Sequence, residues 1–394
     1  MPPIEAFDSI WWRELYGARE IAIEDAEQLI RRRIPASTIW IDSSLPDPAK
    51  TIEDLKARGY NLLPARNLQE ADAAPKNAAI GSADTRASFD SLAMTVKNAL
   101  RREAINLPMW GSDTGGYVGV PSKELFARWL QFSAYSTVME VLLGPKRTIW
   151  SDYDAELVNI ARQQATSHHD LIPYTRSYVY RATRTGMPVM RPLIFAYPDD
   201  ATLHDTWDEY LFGGEILAAP VVTAGATSRE VYLPAGRWLD YNDKTTLYQG
   251  GAKITAQALL ATVPLYVREG AIIPRGDIWK GNNWWQANWG PRLRIEVFPS
   301  SSVPGRFDYY TGSVLLPITA TATAAGINVS FPNLGTAGTL EVYCQNVKSV
   351  IRNGVALSSG PSGYTYDAAT KKLTVRFTGI VNLTVQGATG IFGS

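Results

Sequence analysis

The chain runs to 394 residues, beyond the size that one hydrophobic core usually serves, so two or three domains are expected. Its 38 basic and 38 acidic side chains cancel, which removes the electrostatic footprint of a nucleic-acid-binding surface, and no apolar run approaches the roughly 18 residues of a membrane span. The single cysteine, Cys344, rules out an intrachain disulfide and a cysteine-based metal site, and its apolar neighbours mark it as a packed strand residue.

The opening MPPIEAFDSIWW lacks a positively charged start followed by an apolar core, so no signal peptide is expected there. Ala18 to Arg33 carries helical periodicity and stops at the Ile34-Pro35 break, after which Ser37 to Asp42 (STIWID) reads as a short buried strand. A helix over Pro46 to Arg58 and a strand over Tyr60 to Ala65 follow. Arg66 to Ile80 is polar, contains Pro75 and has no strong period, so it reads as a loop or junction. The order continues with a helix over Ser88 to Arg102, a strand near Leu107 to Trp110, helices over Ser122 to Leu143 and Ala155 to Thr185, and a strand at Pro188 to Phe195. Alternating strands and helices predict an α/β fold built of parallel βα units. In a (β/α)₈ barrel the acids that do chemistry sit at the C-terminal ends of strands, where Asp42, Asp84 and Asp113 all fall. The strands are too few to close eight, so residues 1–196 are expected to form an incomplete TIM-type barrel.

From about Trp207 the pattern changes to short alternating strands separated by Gly and Pro turns, which predicts an antiparallel β domain over 197–280. A second run of strands with Gly-, Ser- and Thr-rich turns predicts a distal β-sandwich over 281–394. Trp279, Trp284, Trp285 and Trp289 crowd one short stretch between them. Such rings are either platforms for a sugar or filling for an interdomain seam, and the sequence leaves both readings open.

A set of motifs then occurs in order: Trp110-Gly-Ser-Asp113-Thr-Gly-Gly-Tyr117, Arg128-Trp129-Leu-Gln131, Gly186-Met-Pro-Val-Met-Arg191-Pro192, Leu217-Ala-Ala-Pro220, Val231-Tyr-Leu-Pro234-Ala-Gly236-Arg-Trp238 and Val267-Arg-Glu-Gly270-Ala-Ile-Ile-Pro274. Together they resemble glycoside hydrolase family 31, the α-glucosidase and α-xylosidase family. The resemblance implies a glycoside hydrolase of retaining mechanism, a site for an α-linked oligosaccharide or α-glucoside, and no cofactor or metal. By the same resemblance Asp84 stands where the family has its general acid/base, at a spacing from Asp113 that agrees with the family's. Asp113 and Asp42 look like sugar-hydroxyl ligands, Trp110 and Tyr117 like walls of the pocket, and Arg66 like the arginine that positions the acid/base.

The departures are as informative as the matches. The acid/base motif reads Gly81-Ser-Ala-Asp84 in place of W-x-G-D, and the family's hydroxyl-contacting histidine falls at Leu142. His168 and His169 lie on a helix, where packing is the simpler reading. The segment expected to present the nucleophile is reduced to the polar linker Arg66 to Ile80, whose Glu70 and Asp72 have no apolar strand to hold them. A retaining glycosidase needs two carboxyls about 5–5.5 Å apart. The resemblance therefore implies a partial member, without the preceding β-sandwich or the nucleophile segment. The alternative to hydrolysis is an inactive carbohydrate-binding or scaffold protein, and open strand edges would call for an oligomer to cover them.

Overall fold

The computed structural model describes residues 1–13, 19–41, 47–64, 85–105, 107–144, 148–282 and 289–393. Strand β1 (Ile10–Arg13), helix α1 (Arg19–Arg31), β2 (Thr38–Ile41), α2 (Pro48–Lys56) and β3 (Asn61–Pro64) open the chain. Then come α3 (Phe89–Ala104), β4 (Asp113–Thr114), α4 (Lys123–Ala134), β5 (Glu140–Leu143), the one-turn α5 (Ile149–Asp152), α6 (Ala155–Asp170) and α7 (Ile172–Thr185). Helix starts follow local chemistry. Asp47, Ser88, Ser122 and Asp154 each accept a backbone N–H of the first turn, which satisfies donors that the helix itself leaves unpaired.

The five strands form one parallel sheet in the order β3-β2-β1-β5-β4. Its two faces differ. Trp11, Ile39, Val141 and Leu143 turn to one side and pack with Ala22, Ala26 and Leu29 of α1, Phe126 and Leu130 of α4, and Leu157 and Ile160 of α6. Because side chains alternate along a strand, Ile10, Trp12, Trp40, Glu140 and Leu142 turn to the other side. Register aligns Trp12 with Trp40 and Leu142, and Glu140 with Ile10 and Asp113.

Among the described residues, the named strands of the remaining chain pair antiparallel except in one case. Strands β6 (Met190–Pro192), β7 (Tyr210–Phe212), β8 (Ile216–Ala218), β9 (Ser228–Leu233), β10 (Arg237–Asp240), β11 (Leu247–Gln249), β12 (Ala252–Gln257) and β13 (Leu265–Arg268) give a sheet in the order β11-β10-β13-β8-β7-β6, with β12 and β9 paired beside it. Two further sheets follow. One contains β14 (Ile272–Arg275), β15 (Leu293–Val297) and later strands at Gly338–Gln345, Lys372–Phe377, Tyr364–Asp367 and Thr389–Gly390; within it Leu293–Val297 runs parallel to Gly338–Gln345. The other is built from strands between Gly305 and Gln386. One buried cluster extends from Phe7 through Trp110, Tyr174 and Ile295 to Phe392, so the α/β part and the β sheets share a core.

Three sequence expectations need correction. The helix expected over Ser122 to Leu143 ends at Ala134, and its tail is strand β5. A short apolar run such as EVLL has no period that separates helix from strand, and pairing with β1 decides it. Strand β1 itself lies in the Trp-rich N-terminus, which composition alone does not mark as a strand. The strand expected at Pro188 to Phe195 is β6 followed by a 3₁₀ turn, and it joins the antiparallel sheet through β7 rather than the parallel one. The expected helix over Ala155 to Thr185 is two helices, since Pro173 in the first turn of α7 cannot continue α6.

Candidate functional site

Asp113 ends up facing away from the helices because its neighbour is fixed the other way. Thr114 Oγ1 lies 2.6 Å from Ser133 Oγ on α4, which orients Thr114 to the helix side and Asp113 to the opposite face. The chain then turns sharply: Gly116 N donates to Asp113 O at 2.9 Å. Gly116 has φ +88°, and a Cβ there would lie 2.7 Å from Ala87 N, so only glycine admits the approach of residues 85–87. That segment is pinned by Val118 N donating to Thr85 O and Ala87 N donating to Val118 O, both at 2.9 Å.

Opposite Asp113 in register stands Glu140, on β5. Each is 7% exposed, and Asp113 acts on Glu140 through its charge and as a hydrogen-bond partner. Burial first, and the charge of Asp113 second, push Glu140 well above the usual carboxylate range, while the Trp12 indole pulls it back. Two carboxyls so close disfavour carrying two negative charges at once.

Aromatic rings flank the pair. Trp12 stacks on Trp40 with centroids 4.3 Å apart and planes 30° apart, and on Tyr117 at 6.0 Å and 19°. Trp12 is buried whereas Trp40 and Tyr117 are half-exposed, so the stack presents an apolar surface next to polar groups. Leu142 lines the same face beside Trp12 and offers no hydrogen bond where the family resemblance expected a histidine.

The structure thus brings Asp113 and Tyr117 together, with Trp12, Trp40 and Glu140, which sequence reasoning missed. Trp110 is 1% exposed and packs against Phe132 of α4 at 6.1 Å within the shared core. Asp42, Arg66 and Asp84 lie outside the described residues, as do Glu70, Asp72, Trp284 and Trp285. Trp279 packs against the shared core. Arg128 and Gln131 are structural: Arg128 donates to the carbonyls of Ala226, Ala258 and Leu259, and Gln131 to those of Leu259 and Leu260. His169 is buried between Asp8 and Asp277 at 3.1 Å each, and His168 Nδ1 lies 3.1 Å from Ala134 O. Cys344 is fully buried, and burial pushes its thiol up to about 12, which suits packing and not nucleophilic chemistry. Among the described residues no group of His, Cys, Asp or Glu is arranged to hold a metal ion, and no helix is long and apolar enough to cross a membrane.

The class so defined is a parallel α/β sheet with a buried acid pair and stacked rings on the face away from its helices, followed by antiparallel β domains. Comparison with known proteins gives the family. Residues 73–178 match the glycosyl hydrolases family 31 TIM-barrel domain, and residues 186–273 match the glycosyl hydrolase family 31 C-terminal domain. Alpha-glucosidase 2 of Bacillus thermoamyloliquefaciens is 30% identical over 203 residues, covering 51% of this chain and 26% of that protein. The 1,6-alpha-glucosyltransferase of Sporosarcina globispora is 37% identical over 211 residues, 51% of this chain and 16% of that protein. These matches span about a quarter or less of the relatives' length. In fold, the chain superposes on a Flavobacterium johnsoniae GH31 dextranase complexed with glucose with TM-score 0.85 at 19% identity, covering 98% of this chain and 71% of that one. The chain belongs to glycoside hydrolase family 31.

Proposed function

We propose that this chain binds the glycosyl end of an α-linked glucoside or xyloside on the face of its parallel sheet away from the helices. The observation that carries the reading is the stack of Trp12, Trp40 and Tyr117 beside the Asp113–Glu140 pair on one face. Aromatic faces accept the apolar C–H surface of a pyranose, and a carboxylate accepts its hydroxyls. Family relatives named as α-glucosidase, α-xylosidase and glucosyltransferase support the substrate class. The Asp113–Glu140 pair does not itself suit glycoside cleavage. Its carboxyls are within hydrogen-bonding reach, nearer than the roughly 5–5.5 Å of a retaining pair or 6.5–9.5 Å of an inverting one.

Hydrolysis by the retaining route is the second reading, with Asp84 as acid then base, Asp42 as a further hydroxyl ligand and Arg66 positioning the acid. Its support is that Thr85, the residue after Asp84, is pinned to Val118, one residue past Tyr117. In the same proposal residues 1–196 are an incomplete (β/α)₈-type barrel, 197–280 a proximal β domain and 281–394 a distal sandwich, with a second copy covering open strand edges. Calorimetry with glucose, maltose and isomaltose tests binding: heat with wild type that disappears in Trp12→Ala supports it, and no heat with any sugar sinks it. Release of 4-nitrophenol from the α-glucoside or α-xyloside, abolished in Asp84→Asn, would establish the second reading. Equal release by that variant removes it.

A further inference from the structure

Glu140 belongs to the acid pair beside the stacked rings, but the reading above gives it no sugar contact of its own. It lies beside Asp113 on the adjacent parallel strand, and the two carboxyls are equally buried. Two carboxylates cannot donate to each other, so their hydrogen bond requires a proton within the pair. Among the described residues, the groups packed around Glu140 include no cation. On β1, Ile10 stands opposite it and Trp12 presents its indole; on β4 the neighbour is Asp113; on its own strand Leu142 follows on the same face. Arg13 of β1 points to the helix side, where Asp25 on α1 receives its guanidinium. Tyr117 stacks on Trp12 from the side of the Asp113 turn.

We propose that Glu140 is a second sugar-binding residue, which stays protonated and donates to one hydroxyl oxygen while Asp113 accepts from the adjacent hydroxyl. The inference rests on the sugar-binding reading. A vicinal diol offers one oxygen to accept and one O–H to donate, and the one-proton pair matches both. A doubly ionised pair would offer acceptors alone, next to doubled negative charge. On binding, the proton that bridges the two carboxyls in the free protein turns from Asp113 to the sugar oxygen, so the pair neither gains nor loses a proton. Removing that proton at high pH removes the donor. Glutamine is the conservative mimic, because its amide keeps a donor and an acceptor and cannot ionise.

The test is isomaltose calorimetry between pH 5 and 9 on wild type, Glu140→Gln and Glu140→Leu, with near-UV circular dichroism to check that each variant is folded. Wild-type affinity should fall by about tenfold or more as pH rises through the point at which carboxyl ¹³C titration shows Glu140 losing its proton. Glu140→Gln should bind within about threefold of wild type at low pH and show a flat profile, and Glu140→Leu should bind about tenfold more weakly throughout. A Gln variant that keeps the wild-type pH slope, or a Leu variant that binds like wild type, overturns the role of Glu140 while leaving sugar binding intact. If wild type binds no sugar at any pH, the sugar-binding reading falls and the inference falls with it. Carboxyl ¹³C titration of the sugar-free protein gives an independent arm. A Glu140 signal already ionised at pH 7 overturns the inference even where sugar binds.

Discussion

His169 illustrates how one buried side chain reports its surroundings. Burial opposes its charge, but Asp8 on one ring nitrogen and Asp277 on the other outweigh that cost and raise it to about 10. The imidazolium is therefore the form the fold selects. Since the folded value lies above the unfolded one of ~6.5, its stabilisation is complete below that pH and is lost as pH rises through about 10. His169→Asn should destabilise the protein by roughly 3 kcal/mol at pH 6, because it takes the imidazolium from the buried Asp8 and the partly exposed Asp277. Urea unfolding at several pH values checks this: the gap between wild type and variant should narrow toward pH 10, and a constant gap would mean the histidine is neutral in the folded protein. Asp8, 0% exposed, explains why this role is not legible from the sequence. Its partner lies far along the chain, and nothing in HHDLIPY announces it. Asp113 is the opposite case, readable from its own glycine-rich motif. Glu140 falls between, since its meaning depends on the register between two strands that only the folded sheet defines.

At the level of elements, most boundaries are local matters, and the sequence reading found them within a few residues where a cap or a proline marks them. The Ser88 cap of α3 and the break after α1 are examples. It failed where tertiary pairing overrides local pattern, as in β5, and this failure also concealed Glu140 by placing it on a helix. The role of α4 shows what an element can carry besides a site. Its Arg128 and Gln131 together cap five carbonyl contacts in the loops at 226 and 258–260, tying the parallel sheet's helix layer to the β9–β12 pair. Burial, with only partial relief from Glu124, lowers the Arg128 guanidinium below its ordinary value, yet its hydrogen bonds are to neutral carbonyls. Arg128→Ala leaves those oxygens without donors and should cost roughly 3 kcal/mol. Hydrogen exchange should quicken in residues 252–261, whereas the sheet around β1 should keep its protection. Uniform loss of protection across the chain would show that Arg128 supports global folding instead of this one junction.

The whole molecule is held by contacts that cross between its parts. Asn282 accepts from Ala36 N and donates to Ile34 O and to Tyr60 Oη, so a residue late in the chain closes the back of β2 and β3. Arg275 and Arg294 both reach Asp170 at the end of α6, at 3.1 and 2.8 Å. Helix α7 is enclosed by the β sheets: Tyr174 stacks on Phe307 at 5.5 Å, and Tyr174 and Tyr178 both donate to the buried Glu215. Glu103 on α3 accepts from the backbone of Val189 and Met190, at the entry to β6. Sequence pattern separates the α/β half from the β half correctly in kind, but it carries no information on these seams, because each joins residues distant in sequence. If the shared core governs folding, a fragment of residues 1–196 should not fold alone, since its α7 would expose Tyr174, Tyr178 and Val179 to water. The fragment should give no near-UV circular dichroism signal and should bind a hydrophobic dye. The full chain should melt in one transition with near- and far-UV signals coincident. A fragment that melts cooperatively, or a full chain with two separated transitions, would instead divide the molecule into units that fold independently and would make the seam contacts secondary to each unit's own core.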